Sequence, residues 1–244
     1  MKKLVLVAIA VTVVFCTAAG AADLPTKAVV YKADPNFNWN GFYAGANLGY
    51  GWGTRNEITT NPAGAIVGAG SVNPRGWLGG GQAGYNWVLA PSWLLGIEGD
   101  FSFADFKDVE NSPVATGNSR ANWFATMRGR LGYTANNWLV YGTGGAAWTH
   151  NTDNRTINAG LPSAGETSSP SSVFSGWTAG GGVEYGFASS WTAKLEYLYM
   201  RFPNANVDFA YSVPAAARHG ATTLDANVVR LGVNYLFNAG AVLR

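Results

Sequence analysis

The chain has 244 residues, with 16 Lys and Arg against 14 Asp and Glu, and a formal charge of +2 is too small to point to nucleic acid as a partner. Glycine reaches 32 residues and aromatics 14%, while charged residues make up only 12%. Beyond the N-terminal segment no run of helix-forming residues keeps a 3.6 period, which excludes an ordinary helical protein. The glycines follow no three-residue period, which excludes a collagen-like chain.

Lys2 and Lys3 precede the apolar run Leu4–Phe15, and the small residues Ala18–Ala22 supply a cleavage site before Asp23. This is the anatomy of a secretory signal peptide, predicted over 1–22. The apolar run falls short of the roughly 20 residues a membrane helix needs. Cys16, the single cysteine, lies inside this segment, so the exported chain needs no disulfide. Loss of Lys2 and Lys3 takes the basic count from 16 to 14 against 14 acidic residues, a formally neutral chain. Residues 23–38, with Pro25 and Pro35 and little pattern, read as a periplasmic N-terminal linker.

From Trp39 onward the working signal is period-2 alternation. In Trp39–Trp52, Phe42, Ala44, Ala46, Leu48, Tyr50 and Trp52 share one face, opposite Tyr43, Asn47 and a row of glycines. Trp77–Val88 sets Trp77, Ala83, Tyr85 and Trp87 against Gln82, Gly84 and Asn86. Trp93–Phe103 is clearest, with Trp93, Leu95, Ile97, Phe101 and Phe103 opposing Gly96, Glu98, Asp100 and Ser102. Trp123–Tyr133 places Trp123, Ala125, Met127, Leu131 and Tyr133 against Thr126, Arg128 and Arg130. Trp138–Trp148 is a strand by composition with ambiguous facing, and Phe174–Phe187, Trp191–Met200 and Ala226–Phe237 complete eight predicted strands. Most approach the ~9–11 residues of a tilted membrane strand.

The spacing Ala-x-x-Trp occurs at Ala90–Trp93, Ala135–Trp138 and Ala188–Trp191, each time between two alternating runs. These are predicted hairpin turns, and each return strand opens on a tryptophan. Indoles favour a membrane–water boundary, because the ring is apolar and its N–H is not. Trp39, Trp87, Trp93, Trp138, Trp191 and Phe237 are therefore the expected interface aromatics, and all ten tryptophans are expected at or near strand ends. The segments around 53–75, 104–121, 149–172 and 201–225 are rich in Asn, Ser, Thr, Pro and Gly and read as four long loops. Short turns on one side and long loops on the other are the habit of outer-membrane barrels.

A soluble barrel would also alternate, with its apolar face turned inward around a ligand. It would then crowd the aromatics into a narrow lumen, and nothing in it explains tryptophans gathered at strand ends. The polar face carries Glu98, Asp100, Glu184 and Glu196 with Arg128, Arg130, Lys194 and Arg230, four acids and four bases. This balance predicts an ion network inside a membrane barrel. Arg128 and Arg130 are expected to pair with Glu98 and Asp100. Lys194 is expected to meet Glu184 and Glu196, with Arg230 close to Glu196.

The stretch Trp191–Tyr199 (WTAKLEYLY), the opening Trp39–Gly45 (WNGFYAG) and the closing Val229–Phe237 (VRLGVNYLF) resemble the small Gram-negative outer-membrane β-barrel family, the opacity-type or porin-family group. The resemblance implies an all-β fold: an eight-stranded antiparallel up-and-down transmembrane β-barrel over 39–237, with short periplasmic turns and four long extracellular loops. It implies the cell outer membrane as location. Its lipids and lipopolysaccharide, the barrel-assembly machinery and a ligand met by the loops are the implied partners. Members usually end on the aromatic of the last strand, whereas here a short tail, 238–244, follows Phe237.

Catalysis needs a nucleophile beside a base, and the only histidines, His150 and His219, fall in predicted loops with Asp153 and serines nearby, a weak signal. No catalytic residue, cofactor or metal site is expected. The expected role is structural and surface-interacting, contributing to envelope integrity and host or ligand contact. The alternative is a narrow pore, although eight strands enclose only enough room for side chains.

Overall fold

The computed structural model describes residues 37–111, 115–159, 164–209 and 218–237. The signal peptide, nearly all of the linker and the tail 238–244 lie outside the described residues. The described strands are β1 (Gly41–Thr60), β2 (Ile66–Val72), β3 (Arg75–Ala90), β4 (Trp93–Asn111), β5 (Ala115–Ala135), β6 (Trp138–Ile157), β7 (Thr167–Ser168), β8 (Ser171–Ala188), β9 (Trp191–Phe209) and β10 (Arg218–Leu236). All belong to one antiparallel sheet that closes on itself, because β10 pairs back onto β1. β2 and β7 lie off this circuit, on the flanks of β1 and β6. The described strands thus number two more than the eight expected.

The register has a fixed slant. The pairs lead from Phe42 to Tyr85, Ile97, Gly129, Gly144, Ala179, Tyr199, Asn227 and back to Trp52. One turn of the ring therefore advances ten residues along β1, since the path leaves at Phe42 and returns at Trp52.

The three Ala-x-x-Trp segments are tight turns, with Ala90 paired to Trp93, Ala135 to Trp138 and Ala188 to Trp191. Asn136 takes φ 53°, a left-handed conformation that Asn tolerates better than most side chains.

Much of the four expected loops is strand. β1 runs on to Thr60, β4 to Asn111, β6 to Ile157 and β9 to Phe209, while β5 and β10 begin at Ala115 and Arg218. The apolar alternation fades there, yet the ladder hydrogen bonds continue. A strand with water on its outer face has no need of an apolar row, so composition reads it as loop.

The outer face is apolar: Leu231 is 64% exposed, Met127 56% and Leu195 51%. The facings assigned to β1, β3, β4 and β5 between residues 42 and 133 follow the burial of those side chains, except that Ala44 and Gly45, and Gly84 and Tyr85, are intermediate alike. β6, ambiguous in the sequence, turns Leu139 and Tyr141 inward and Trp138 and Val140 outward.

Candidate functional site

The inward side chains form layers along the strands. At the turn end Trp39 packs on Leu94, Leu139 and Tyr141, with Phe37 against them. Trp39 is only 3% exposed, so it is an interior plug and not an interface aromatic. The strand begins at Gly41, and just before it the Trp39 carbonyl accepts from Asn86 Nδ2 while its ring turns inward. The other expected interface aromatics, Trp87, Trp93, Trp138, Trp191 and Phe237, are all exposed on the outer face.

The expectation that every tryptophan lies near a strand end also fails. Trp52, Trp123, Trp148 and Trp177 lie well inside β1, β5, β6 and β8, because these strands are longer than the alternation indicated. They form, with Tyr50, Trp77, Phe101, Phe103 and Tyr199, a second outward aromatic row.

Above the plug lies the ion network, whose eight charged side chains are all nearly inaccessible. Arg128 donates to Glu98, to Asp100 at 3.0 Å and to Glu196 at 3.0 Å. Arg230 donates to Glu196 at 2.6 Å and to Asp100 at 2.9 Å. Two pairings differ from expectation. Lys194 reaches across the ring to both oxygens of Glu98, at 2.8 and 2.9 Å, instead of its strand neighbours Glu184 and Glu196. Arg130 keeps the expected Glu98 at 3.7 Å but donates to Glu184 at 3.3 Å and to Asn86 instead of reaching Asp100. Sequence spacing shows which residues share a face; partners across a closed interior depend on where the ring brings opposite strands together.

Neutral donors complete the shell. Tyr43 donates to Glu98 at 2.7 Å, Tyr141 to Glu196 at 2.9 Å, and Thr192 and Asn234 to Glu184. Such satisfaction is what makes buried charge tolerable. Gly182 leaves room for it, since a Cβ there would come 2.7 Å from Tyr141 Oη.

Beyond the network lies an apolar layer that includes Leu78, Phe106, Phe124, Phe174, Phe202 and Leu224. Further out, a second polar cluster joins Arg55 to Asp153 at 2.5 Å and Arg155 to Glu57 at 2.7 Å. Neither layer was recognised in the sequence, because most of these residues fall in the expected loops. A signal existed: Arg55 keeps the odd inward parity of Tyr43, Asn47 and Gly51, and Asp153 and Arg155 keep that of Leu139 and Tyr141.

Both histidines sit on strands, not loops. His150 stacks on Trp123, takes Asn122 Nδ2 at 3.2 Å on Nδ1, and lies 2.7 Å from Ser171 Oγ through Nε2. With Nδ1 accepting from the amide, the neutral ring carries its proton on Nε2 and donates to Ser171, the wrong tautomer for a base activating that hydroxyl. Asp153 points inward to Arg55. His219 pairs with exposed Asp208 at 2.8 Å. Among the described residues no three His, Cys, Asp or Glu converge as a metal site requires.

Comparison with known proteins adds the following. Residues 7–237 match the family described as "Outer membrane protein beta-barrel domain". The "31 kDa outer-membrane immunogenic protein" of Brucella melitensis biotype 1 is 34% identical over 250 residues, spanning 97% of this chain and all of that protein. Among solved structures, the outer membrane protein OprG of Pseudomonas aeruginosa aligns with a TM-score of 0.51 at 15% identity, covering 83% of this chain and 98% of that one. The outer membrane protease OmpT of Escherichia coli gives 0.51 at 11% identity, covering 83% and 98%. At these identities the two structures speak for the fold alone.

Proposed function

We propose, from the premise that this chain belongs to the outer-membrane β-barrel family and resides in the outer membrane, that it is an eight-stranded transmembrane scaffold presenting its far rim at the cell surface. The eight strands are those of the closed circuit, with β2 and β7 as ornaments of the surface segments. Ten residues of stagger at ~3.3 Å against eight strand spacings of ~4.8 Å tilt the strands by about 41°. From Trp93 to Phe103 and from Trp191 to Tyr199 the two aromatic rows stand ten and eight residues apart. That is about 26–33 Å along the strand and about 20–25 Å across the membrane, close to the ~25 Å apolar band of such barrels.

The observation that carries the scaffold reading is the filled interior. Among the described residues, plug, ion network and apolar layer follow one another inward of the same strands, so that an apolar layer interrupts the polar path. A pore needs such a path. The surface role rests on the long strands beyond the outer aromatic row, and the name of the Brucella relative, an immunogenic outer-membrane protein, supports exposure of that end. Envelope integrity and contact with a host or ligand are the roles this geometry serves, because binding segments are held out on a rigid frame. Planar-bilayer recordings and liposome swelling on the purified chain test it. The expected result is no sugar permeation; steady passage of sugars would replace the scaffold with a channel.

A further inference from the structure

On the outer face, just beyond the second aromatic row, the register lines up three cations. Arg75 of β3 pairs directly with Lys107 of β4, and Lys107 pairs directly with Arg120 of β5. Like charges directly opposite one another on neighbouring strands destabilise a sheet. Nothing in the fold requires this arrangement. Arg120 reaches the outer face only because the β4–β5 pairing shifts between Phe103 and Phe106, and the β5–β6 pairing between Ala121 and Trp123. Lys107 and Arg120 remain 63% and 54% exposed.

One acid answers them. Asp105 receives Lys107 and Arg120 at 2.8 Å each, and among the described residues Arg75 has no carboxylate partner. Among the described side chains, three cations against one carboxylate leave the row with two unneutralised positive charges. Beside it a surface recess of about 860 Å³ is lined by Tyr50, Trp52, Thr54, Asn73, Arg75 and Lys107. Its lining combines two aromatic rings with two cations. Arg75 lies two residues beyond Trp77 on the same strand, about 7 Å along the strand and, at the tilt of the strands, about 5 Å further from the membrane centre.

We propose that Arg75, Lys107 and Arg120 form a binding site for the phosphate of an outer-leaflet lipid, whose acyl chains lie along the aromatic face below. The site rests on the outer-membrane location and deepens the surface reading by giving the outer leaflet a defined partner. An aromatic row marks the interface, so a cation row just outside it stands at headgroup height. Guanidinium groups bind phosphate oxygens in a bidentate fork, and a lysine adds a point charge. Bound phosphate would also relieve the repulsion along the row.

The test uses the full exported chain reconstituted in vesicles of neutral lipid doped with lipopolysaccharide or with its enzymatically dephosphorylated form. Binding is read as lipopolysaccharide retained per folded protein and by titration. The wild type should retain the phosphorylated lipid and lose at least about tenfold affinity with the dephosphorylated one, since charge-assisted hydrogen bonds are lost. The triple variant Arg75→Gln/Lys107→Gln/Arg120→Gln should show the same loss with either lipid. Arg201→Gln, a half-exposed cation on β9, should bind as the wild type. Inorganic phosphate should compete only at far higher concentration, because it lacks the acyl chains. Heat-dependent gel mobility of each variant reports assembly, so a failed site is distinguished from a failed barrel. An assembled triple variant that retains lipopolysaccharide like the wild type overturns the proposal. So does equal binding of the dephosphorylated lipid, or an equal loss in Arg201→Gln.

Discussion

Replacing Lys194 with Met removes one charge from a buried set in which acids and bases balance four to four. Its ammonium lies 2.8 Å from Glu98 Oε2, a separation at which an effective dielectric of about 20 gives an attraction of roughly 6 kcal/mol. Desolvation offsets much of that, and breaking a buried pair by losing one partner costs about 3–5 kcal/mol. Glu98 keeps Arg128, with Arg130 at 3.7 Å and Arg230 at 3.6 Å, so Lys194→Met belongs near the lower end. Arg128→Met removes the cation shared by Glu98, Asp100 and Glu196, leaving Glu98 to Lys194 and both Asp100 and Glu196 to Arg230, and belongs nearer the upper end. The double variant Lys194→Met/Glu98→Gln restores charge parity and should cost less than the two single changes added together. Urea unfolding in lipid vesicles, followed by tryptophan fluorescence with gel mobility as the second probe, measures all four. Single variants within about 1 kcal/mol of wild type would mean that water screens the interior, and strictly additive losses would mean the pair is not coupled; either result refutes the dry, paired interior.

Trp39→Ala should destabilise the barrel by about 3–5 kcal/mol, as large buried aromatics do, and in the wild type Trp39 should be shielded from an aqueous fluorescence quencher. Gly182→Ala forces a Cβ to 2.7 Å from Tyr141 Oη and should cost about 1–3 kcal/mol in the same unfolding assay, with Tyr141 shifted off Glu196. Shortening the β1–β2 tip at 61–65 should leave assembly, read by gel mobility, unchanged, because loop-closure entropy varies slowly with length. Removing 54–74 takes away Arg55 and leaves Asp153 without its cation, so that variant should unfold at clearly lower urea.

The alternation of Trp93–Phe103 and Trp123–Tyr133, the Ala-x-x-Trp turns and the balanced charges made the strand identities, the inward face and the family resemblance legible in the sequence alone. Side-chain parity is a local property, fixed by the pleat, so it survives without knowledge of any partner strand. Residues 53–60 and 149–157 read as loop in the sequence yet are strand, because strands whose outer face meets water lose the apolar row that marks them. Their inward parity persisted, and through it Arg55 and Asp153 could have been found. Trp39 inside the ring, Lys194 crossing to Glu98, and Arg75 aligned with Lys107 and Arg120 were decided only by the tertiary structure. Each depends on closure and stagger: the ten-residue advance around the ring determines which rows meet, and pairing shifts at Ala121 and Trp123 reverse the facing of a segment whose own sequence does not announce it.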